Sequence, residues 1–201
     1  MQNSVHYESG SKSEIAVILS CPGREEEQAS PKAPAQGQTG KNLEGILDIL
    51  SNDYGLQGFN RDEIIITNAW DQVEYPEKTE RSEATTIEVL EKNNLDRLFS
   101  EIENISDFIL ACGQRATAAI MALIYAKKIH SDVKIAFVEH LGNQALNLNI
   151  SIDLDGNEIK SYGKAADRPT EETRTLDAIR KDNKLKRLKV VAYRINEQIK
   201  S

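Results

Sequence analysis

Apolar and polar positions fall into two alternating patterns along the chain. Residues 15–19, IAVIL, form a continuous apolar run, and similar short runs return at 64–67, 108–111 and 135–138. Three to five apolar residues in succession fit a strand covered on both faces. Between these runs the apolar residues stand three and four apart: Leu43, Ile46, Leu47 and Leu50 within 40–50, then further helical stretches over 87–105 and 115–129. The last is alanine-rich and a strong helix former. Strand and helix alternate, which predicts an α/β fold of three-layer α/β/α type with a central, mainly parallel four-stranded sheet.

Two segments break that rhythm. Residues 147–162 alternate Leu148, Ile150, Ile152 and Leu154 with polar neighbours up to Asp155-Gly156, a two-residue turn signal, so a β-hairpin insertion is expected there. After Pro169 the pattern Thr170-x-x-Thr173 reads as a helix cap, and 185–199 supplies another amphipathic helix. The first 13 residues carry no apolar run and are expected to fray. No internal repeat or low-complexity linker divides the 201 residues, which predicts a single domain.

Composition narrows the class. Hydrophobic residues make up 39% and charged residues 28% of the chain, as in ordinary folded proteins. No stretch approaches the roughly 18 apolar residues of a membrane helix, and the N-terminal MQNSVHYESGSKSE lacks the apolar centre of a signal peptide. A cytoplasmic location with no membrane partner is therefore expected. Cys21 and Cys112 cannot supply four thiolates, and His6, His130 and His140 are scattered, so no metal, metal cluster or other cofactor is expected. The net charge of -7 is unevenly spread: from Ile159 onward 12 Lys and Arg face 6 Asp and Glu, a local +6 that leaves -13 for the rest. Such asymmetry fits a segment facing a polyanion, and it also fits a solvated helix.

In open parallel sheets, ligands bind beyond the carboxyl ends of the strands. The polar residues that follow each apolar run share that rim. Cys21-Pro22-Gly23 turns the chain sharply after the first run, since proline fixes φ and glycine tolerates conformations other residues avoid. Glu25, Glu26 and Glu27 follow; a carboxylate there can orient a water or act as a base, and spacing does not decide which of them faces inward. Gly37-x-x-Gly40 leading into Lys41 resembles a helix start that holds a phosphate, or is an ordinary cap. After the second run come Asn68, whose amide can read a nucleobase edge, Trp70, as core or stacking surface, and Asp71, a further acid. His140 ends the fourth run, where it can donate to an oxygen that gains charge.

In this order the pieces resemble the uracil-DNA glycosylase superfamily, most closely its family 4 branch. The stretch Leu19-Ser20-Cys21-Pro22-Gly23-Arg24-Glu25-Glu26-Glu27 is similar to the branch's Gly-Glu-Ala/Gly-Pro-Gly followed by acids. Residues 32–40, KAPAQGQTG, are similar to its Gly-Arg-Pro-Phe-Val-Gly-x-Ala-Gly segment. Ile66-Thr67-Asn68 looks like its Ile-Thr-Asn, Cys112-Gly113-Gln114-Arg115-Ala116 like its Leu-Gly-x-x-Ala, and His140-Leu141-Gly142 like its His-Pro-Ser. The resemblance implies a DNA partner, single- or double-stranded, whose target nucleotide leaves the stack and enters a pocket. It also implies roles: Asn68 reads the base, His140 stabilises the departing base, and Ser20, Cys21, Pro22, Gly23, Ala35 and Trp70 surround the substrate. Gly37, Gly40 and Lys41 would lie near a DNA phosphate, and the basic C-terminal segment would add further phosphate contacts.

Four departures shape the expectation. Ser20 stands where the family has an acid, so water activation falls to another carboxylate, with Glu25, Glu26 and Asp71 as candidates. Ala35 replaces the aromatic on which uracil stacks, a platform worth about 1–3 kcal/mol per base. Leu141 replaces the proline after the histidine, and the four cluster cysteines are absent. The expected activity is a monofunctional DNA glycosylase that hydrolyses the N-glycosidic bond of a modified pyrimidine bulkier than uracil, such as those of phage DNA, which would suit a defence role. A catalytically silent nucleic-acid-binding protein of the same fold, or a nucleosidase or nucleotide-binding protein, are the alternatives.

Overall fold

The computed structural model describes residues 4–163, 167, 169 and 172–200. The apolar runs become strands: β1 (Tyr7–Glu8) and β2 (Ile15–Leu19), then, after helices α1 (Arg24–Gln28) and α2 (Gln38–Asn52), β3 (Ile65–Asn68). Helices α3 (Pro76–Thr79), α4 (Thr86–Val89) and α5 (Lys92–Ile102) lead to β4 (Phe108–Cys112), and α6 (Gln114–Tyr125) leads to β5 (Lys134–Val138). Helices α7 (Asn143–Asn149) and α8 (Leu176–Lys200) complete the order.

The strands pair in the order β1-β3-β2-β4-β5, with β3, β2, β4 and β5 parallel and β1 antiparallel on the edge. The strand period of two separates the side chains into two cores. Ile15, Val17 and Leu19 of β2, with Phe108 and Leu110 of β4, meet Leu43, Ile46, Leu47 and Leu50 of α2 and Val191 and Ile195 of α8. Ala16 and Ile18, with Ile109 and Ala111, meet Leu98 and Ile102 of α5 and Ala116, Ala119 and Ile120 of α6. The three-layer α/β/α architecture follows. Each fully buried Leu or Ile contributes roughly 1.5–3 kcal/mol.

The structure departs from the sequence reading in four places. The sheet has a fifth strand, because the N-terminal segment expected to fray pairs through Tyr7 with Thr67 and through Glu8 with Ile66. The 87–105 helix divides at Leu90–Glu91 into α4 and α5, and α4 starts at a capping box between Thr85 and Glu88. Residues 143–149 are helical, so the hairpin is confined to 151–159: Ile152 bridges Glu158, and the Ile159 N–H donates to the Ser151 carbonyl at 2.7 Å. The C-terminal helices form one continuous α8. The cap expected at Thr170 lies outside the described residues; the Thr175 hydroxyl accepts from the Ala178 N–H at 3.2 Å and caps the helix instead.

Among the described residues no helix is long and apolar enough to cross a membrane. Nor, among them, does any group of three or more His, Cys, Asp or Glu side chains stand ready to hold a metal ion.

Candidate functional site

A cavity of about 180 Å³ opens at the carboxyl ends of β2, β3 and β5. Ser20, Cys21, Pro22, Gly23, Glu26, Ala35, Asn68 and His140 all line it, so eight residues singled out from sequence meet at one mouth. Thr39, Glu74, Ser82 and Glu83 join them.

The loops around the cavity are tied by backbone donors. Glu26 holds two of them together: one carboxylate oxygen accepts the Gly23 N–H at 2.9 Å, the other the Gln36 N–H at 2.9 Å and the Gly37 N–H at 3.4 Å. Arg61 donates to the Pro34 carbonyl at 2.8 Å and to the Ala35 carbonyl at 3.2 Å, while also pairing with Glu8 of β1. Gly40 completes the closure, since a Cβ there would stand 1.7 Å from the Ala35 carbonyl oxygen. Only glycine allows that approach.

Asn68 is 1% exposed, and its Nδ2 donates to the His6 carbonyl at 3.3 Å. A carbonyl can only accept, so the amide orientation is set and Oδ1 is the free acceptor among the described residues. The segment that leads into β1 thus orients this cavity-lining residue. His140 is fixed in a similar way: the Gly142 N–H donates to Nδ1 at 3.0 Å. In the neutral ring the proton then sits on Nε2 as a donor. Burial lowers the His140 pKa, which favours that neutral ring, and the nearby Glu83 carboxylate opposes the shift. Gly113, at φ +92°, makes room for this segment; a Cβ there would lie 3.2 Å from the His140 Cβ.

Three carboxylates line the cavity, and they differ in their free capacity. Both oxygens of Glu26 already accept backbone N–H groups. Glu74 is buried, accepts from the Trp70 indole at 3.1 Å and is clamped by Arg81. The Arg81 guanidinium holds its carboxyl below the ordinary range. Glu83 accepts the Ser20 hydroxyl on one oxygen, and its other oxygen stands 3.5 Å from Arg115 Nε. It is the least saturated of the three. Burial, first among several causes, pushes the Cys21 thiol up to about 11, so the thiolate needed of a nucleophile is scarce at neutral pH.

The remaining predicted residues lie off the cavity. Trp70 packs against the second core with its indole on Glu74, a structural placement rather than a stacking surface. Asp71 is not among the residues that line the cavity and accepts from the neighbouring Gln72 at 2.8 Å. Gly37 turns its N–H to Glu26 and Gly40 is buried against Ala35, so both close the loop on itself, while Lys41 is exposed and lies near Lys184. Sequence reasoning missed Glu83. It sits in the long connection 69–85, which has no apolar periodicity and follows the rim of β3; such length at a strand end was the available signal. Compared with known proteins, the chain matches no family model and no curated sequence.

Proposed function

We propose that the chain is a monofunctional DNA glycosylase that hydrolyses the N-glycosidic bond of a flipped-out, modified pyrimidine. The observation that carries this reading is the convergence of Asn68, His140 and Glu83 on one cavity at the strand ends. Roughly 150 Å³ suffices for a single six-membered ring, so a cavity of about 180 Å³ takes one ring with a small group attached. A larger substituent has to extend through the mouth. Among the described residues no Phe, Tyr or Trp lines the cavity, in keeping with Ala35 at the position of the family's aromatic.

The chemistry divides among three side chains. Asn68 Oδ1 accepts an N–H of the base edge. His140 Nε2–H donates to the base oxygen that gains negative charge as the C1′–N bond breaks and its electron pair leaves with the base. Glu83 stabilises the positive charge that develops on the sugar and takes a proton from the water whose oxygen bonds to C1′. Ser20 orients Glu83 through its hydroxyl, so the carboxylate expected from the strand-end motif reaches the site from another loop. Glu26 holds the loops and does no chemistry.

The test is base release from oligonucleotides carrying uracil, hydroxymethylated or glucosylated pyrimidines, read as strand cleavage after alkali. Abasic product from at least one of the modified bases is expected. His140→Ala, with an unchanged circular dichroism spectrum, is expected to lose roughly 10²–10³ in rate. Absence of product from every substrate overturns the reading.

A further inference from the structure

A second concavity, of about 480 Å³, lies between α7, residues 161–162 and the first half of α8. Its charge is the opposite of the acid-lined cavity's. Arg187 is 5% exposed yet has no carboxylate within ion-pairing distance among the described residues. Its Nε donates to the Ile150 carbonyl at 3.1 Å and its Nη2 to the Ser161 hydroxyl at 3.3 Å, neutral acceptors that orient the guanidinium without cancelling its charge. A buried charge without a counter-ion is unfavourable unless a ligand supplies one.

Lys181 and Lys184 stand on the same wall, also without a carboxylate partner among the described residues. Lys184 is half-buried beside Lys41; burial first, and the neighbouring ammonium second, weaken its hold on its proton. Lys186 on the same helix behaves differently, with Asp153 at 3.4 Å and Asp182 at 3.7 Å. Arg180, at the rim, keeps Asp177 at 3.6 Å. The acids of α8 serve Arg180, Lys186 and Lys200, and Glu139 serves Arg194, which leaves three cations in the cleft unmatched among the described residues; Lys189, also without a carboxylate among them, is exposed outside the cleft.

The cleft adjoins the cavity through two short segments. Thr39 lines the cavity, and Lys41 lies near Lys184 of the cleft. His140 lines the cavity and Asn143 the cleft, with Asn42 Nδ2 donating to the Leu141 carbonyl at 2.6 Å and to Asn143 Oδ1 at 3.0 Å between them. We propose that the cleft is a phosphate-binding subsite, with Arg187 as its floor and Lys181 and Lys184 as its walls, that takes backbone phosphates of the DNA strand whose base enters the cavity. This rests on the glycosylase reading for the identity of the strand. The phosphate chemistry stands on the unmatched cations alone.

The test is the salt dependence of binding of a single-stranded oligonucleotide to the full chain, with Lys181→Gln/Lys184→Gln against Lys189→Gln/Lys200→Gln, which removes equal charge from the same helix outside the cleft. Each lost phosphate contact lowers the slope of log K against log salt by about 0.7 on a single strand, so the cleft variant is expected to lose about 1.4 and the control close to nothing. Equal loss in both variants, or none in either, overturns the subsite. A nucleoside monophosphate is expected to displace the oligonucleotide from the wild-type chain only at high concentration; tight monophosphate binding with no oligonucleotide binding overturns the assignment to a strand. Base release is measured separately. A cleft-dependent slope without base release removes the enzyme and keeps the subsite, whereas base release with an unaltered slope removes the subsite alone.

Discussion

The cavity at the strand ends and the cleft along α8 treat charge in opposite ways. Around the cavity, Glu26 and Glu74 are matched by backbone N–H groups, an indole and Arg81, so their charge fixes loops. In the cleft, Arg187, Lys181 and Lys184 have no such partners among the described residues. A matched charge holds structure, because its field ends on its partner; an unmatched one projects its field to a ligand. Glu83 stands between these cases, held by Ser20 on one side and facing a more distant Arg115 on the other. The net charge of -7 hides this division.

The sharpest way to break the comparison is to exchange two carboxylates of one cavity for amides. Glu83→Gln is expected to lose roughly 10²–10⁴ in the rate of base release with little change in stability, because it removes the proposed proton acceptor and leaves the loops tied. Glu26→Gln is expected to do the reverse. It replaces one acceptor oxygen by an NH₂ that cannot receive a backbone N–H, which costs about 1–3 kcal/mol in urea unfolding. Similar rate losses from both variants would mean that Glu26 shares in the chemistry and that saturation of its oxygens is not a guide to role.

Gly40→Ala comes next in size. The added methyl carbon would meet the Ala35 carbonyl oxygen at 1.7 Å, and that carbonyl is itself held by Arg61, so backbone has to move. A loss of about 1–3 kcal/mol in unfolding is expected, with weaker substrate binding because Ala35 lines the cavity. The cleft should keep its salt slope in this variant, since its walls come from α7 and α8. A change in that slope would show that the two concavities are mechanically coupled.

What could be read from the chain tracks how local each feature is. IAVIL was legible as β2 over Ile15–Leu19, because an uninterrupted apolar run needs no partner to be recognised. Asn68 and His140 were legible because their places at strand ends follow from the strands themselves. β1 escaped notice: two residues, Tyr7 and Glu8, carry no periodicity and become a strand only by pairing with β3. The alternation read over 147–162 failed at its start, where 147–149 belong to α7, a helix that buries Leu146 and leaves Leu148 exposed. Glu83 was invisible for the same reason as β1, since the folding of 69–85 across the strand ends is what brings it to Ser20. The basic excess after Ile159 was legible as a number, but its division into matched and unmatched cations depends on which face of α8 each residue occupies.

The smallest expected effect is also the most local, and it joins two of the three residues on which the proposed chemistry rests. Burial lowers the His140 pKa below its ordinary 6.5, while the Glu83 carboxylate pulls it back up. A histidine less basic in the folded chain than in the unfolded one makes stability rise with pH, so its neutral form favours folding and the contribution weakens as pH falls below 6.5. Protonation would also place a proton on Nδ1 against the Gly142 N–H, ending that hydrogen bond. An NMR titration of the three histidines should find His140 titrating below 6.5 in the wild type and lower still in Glu83→Gln, where burial acts unopposed. An upward shift in Glu83→Gln would mean that the carboxylate does not face the imidazole, and the pairing of base and donor across the cavity would fall with it.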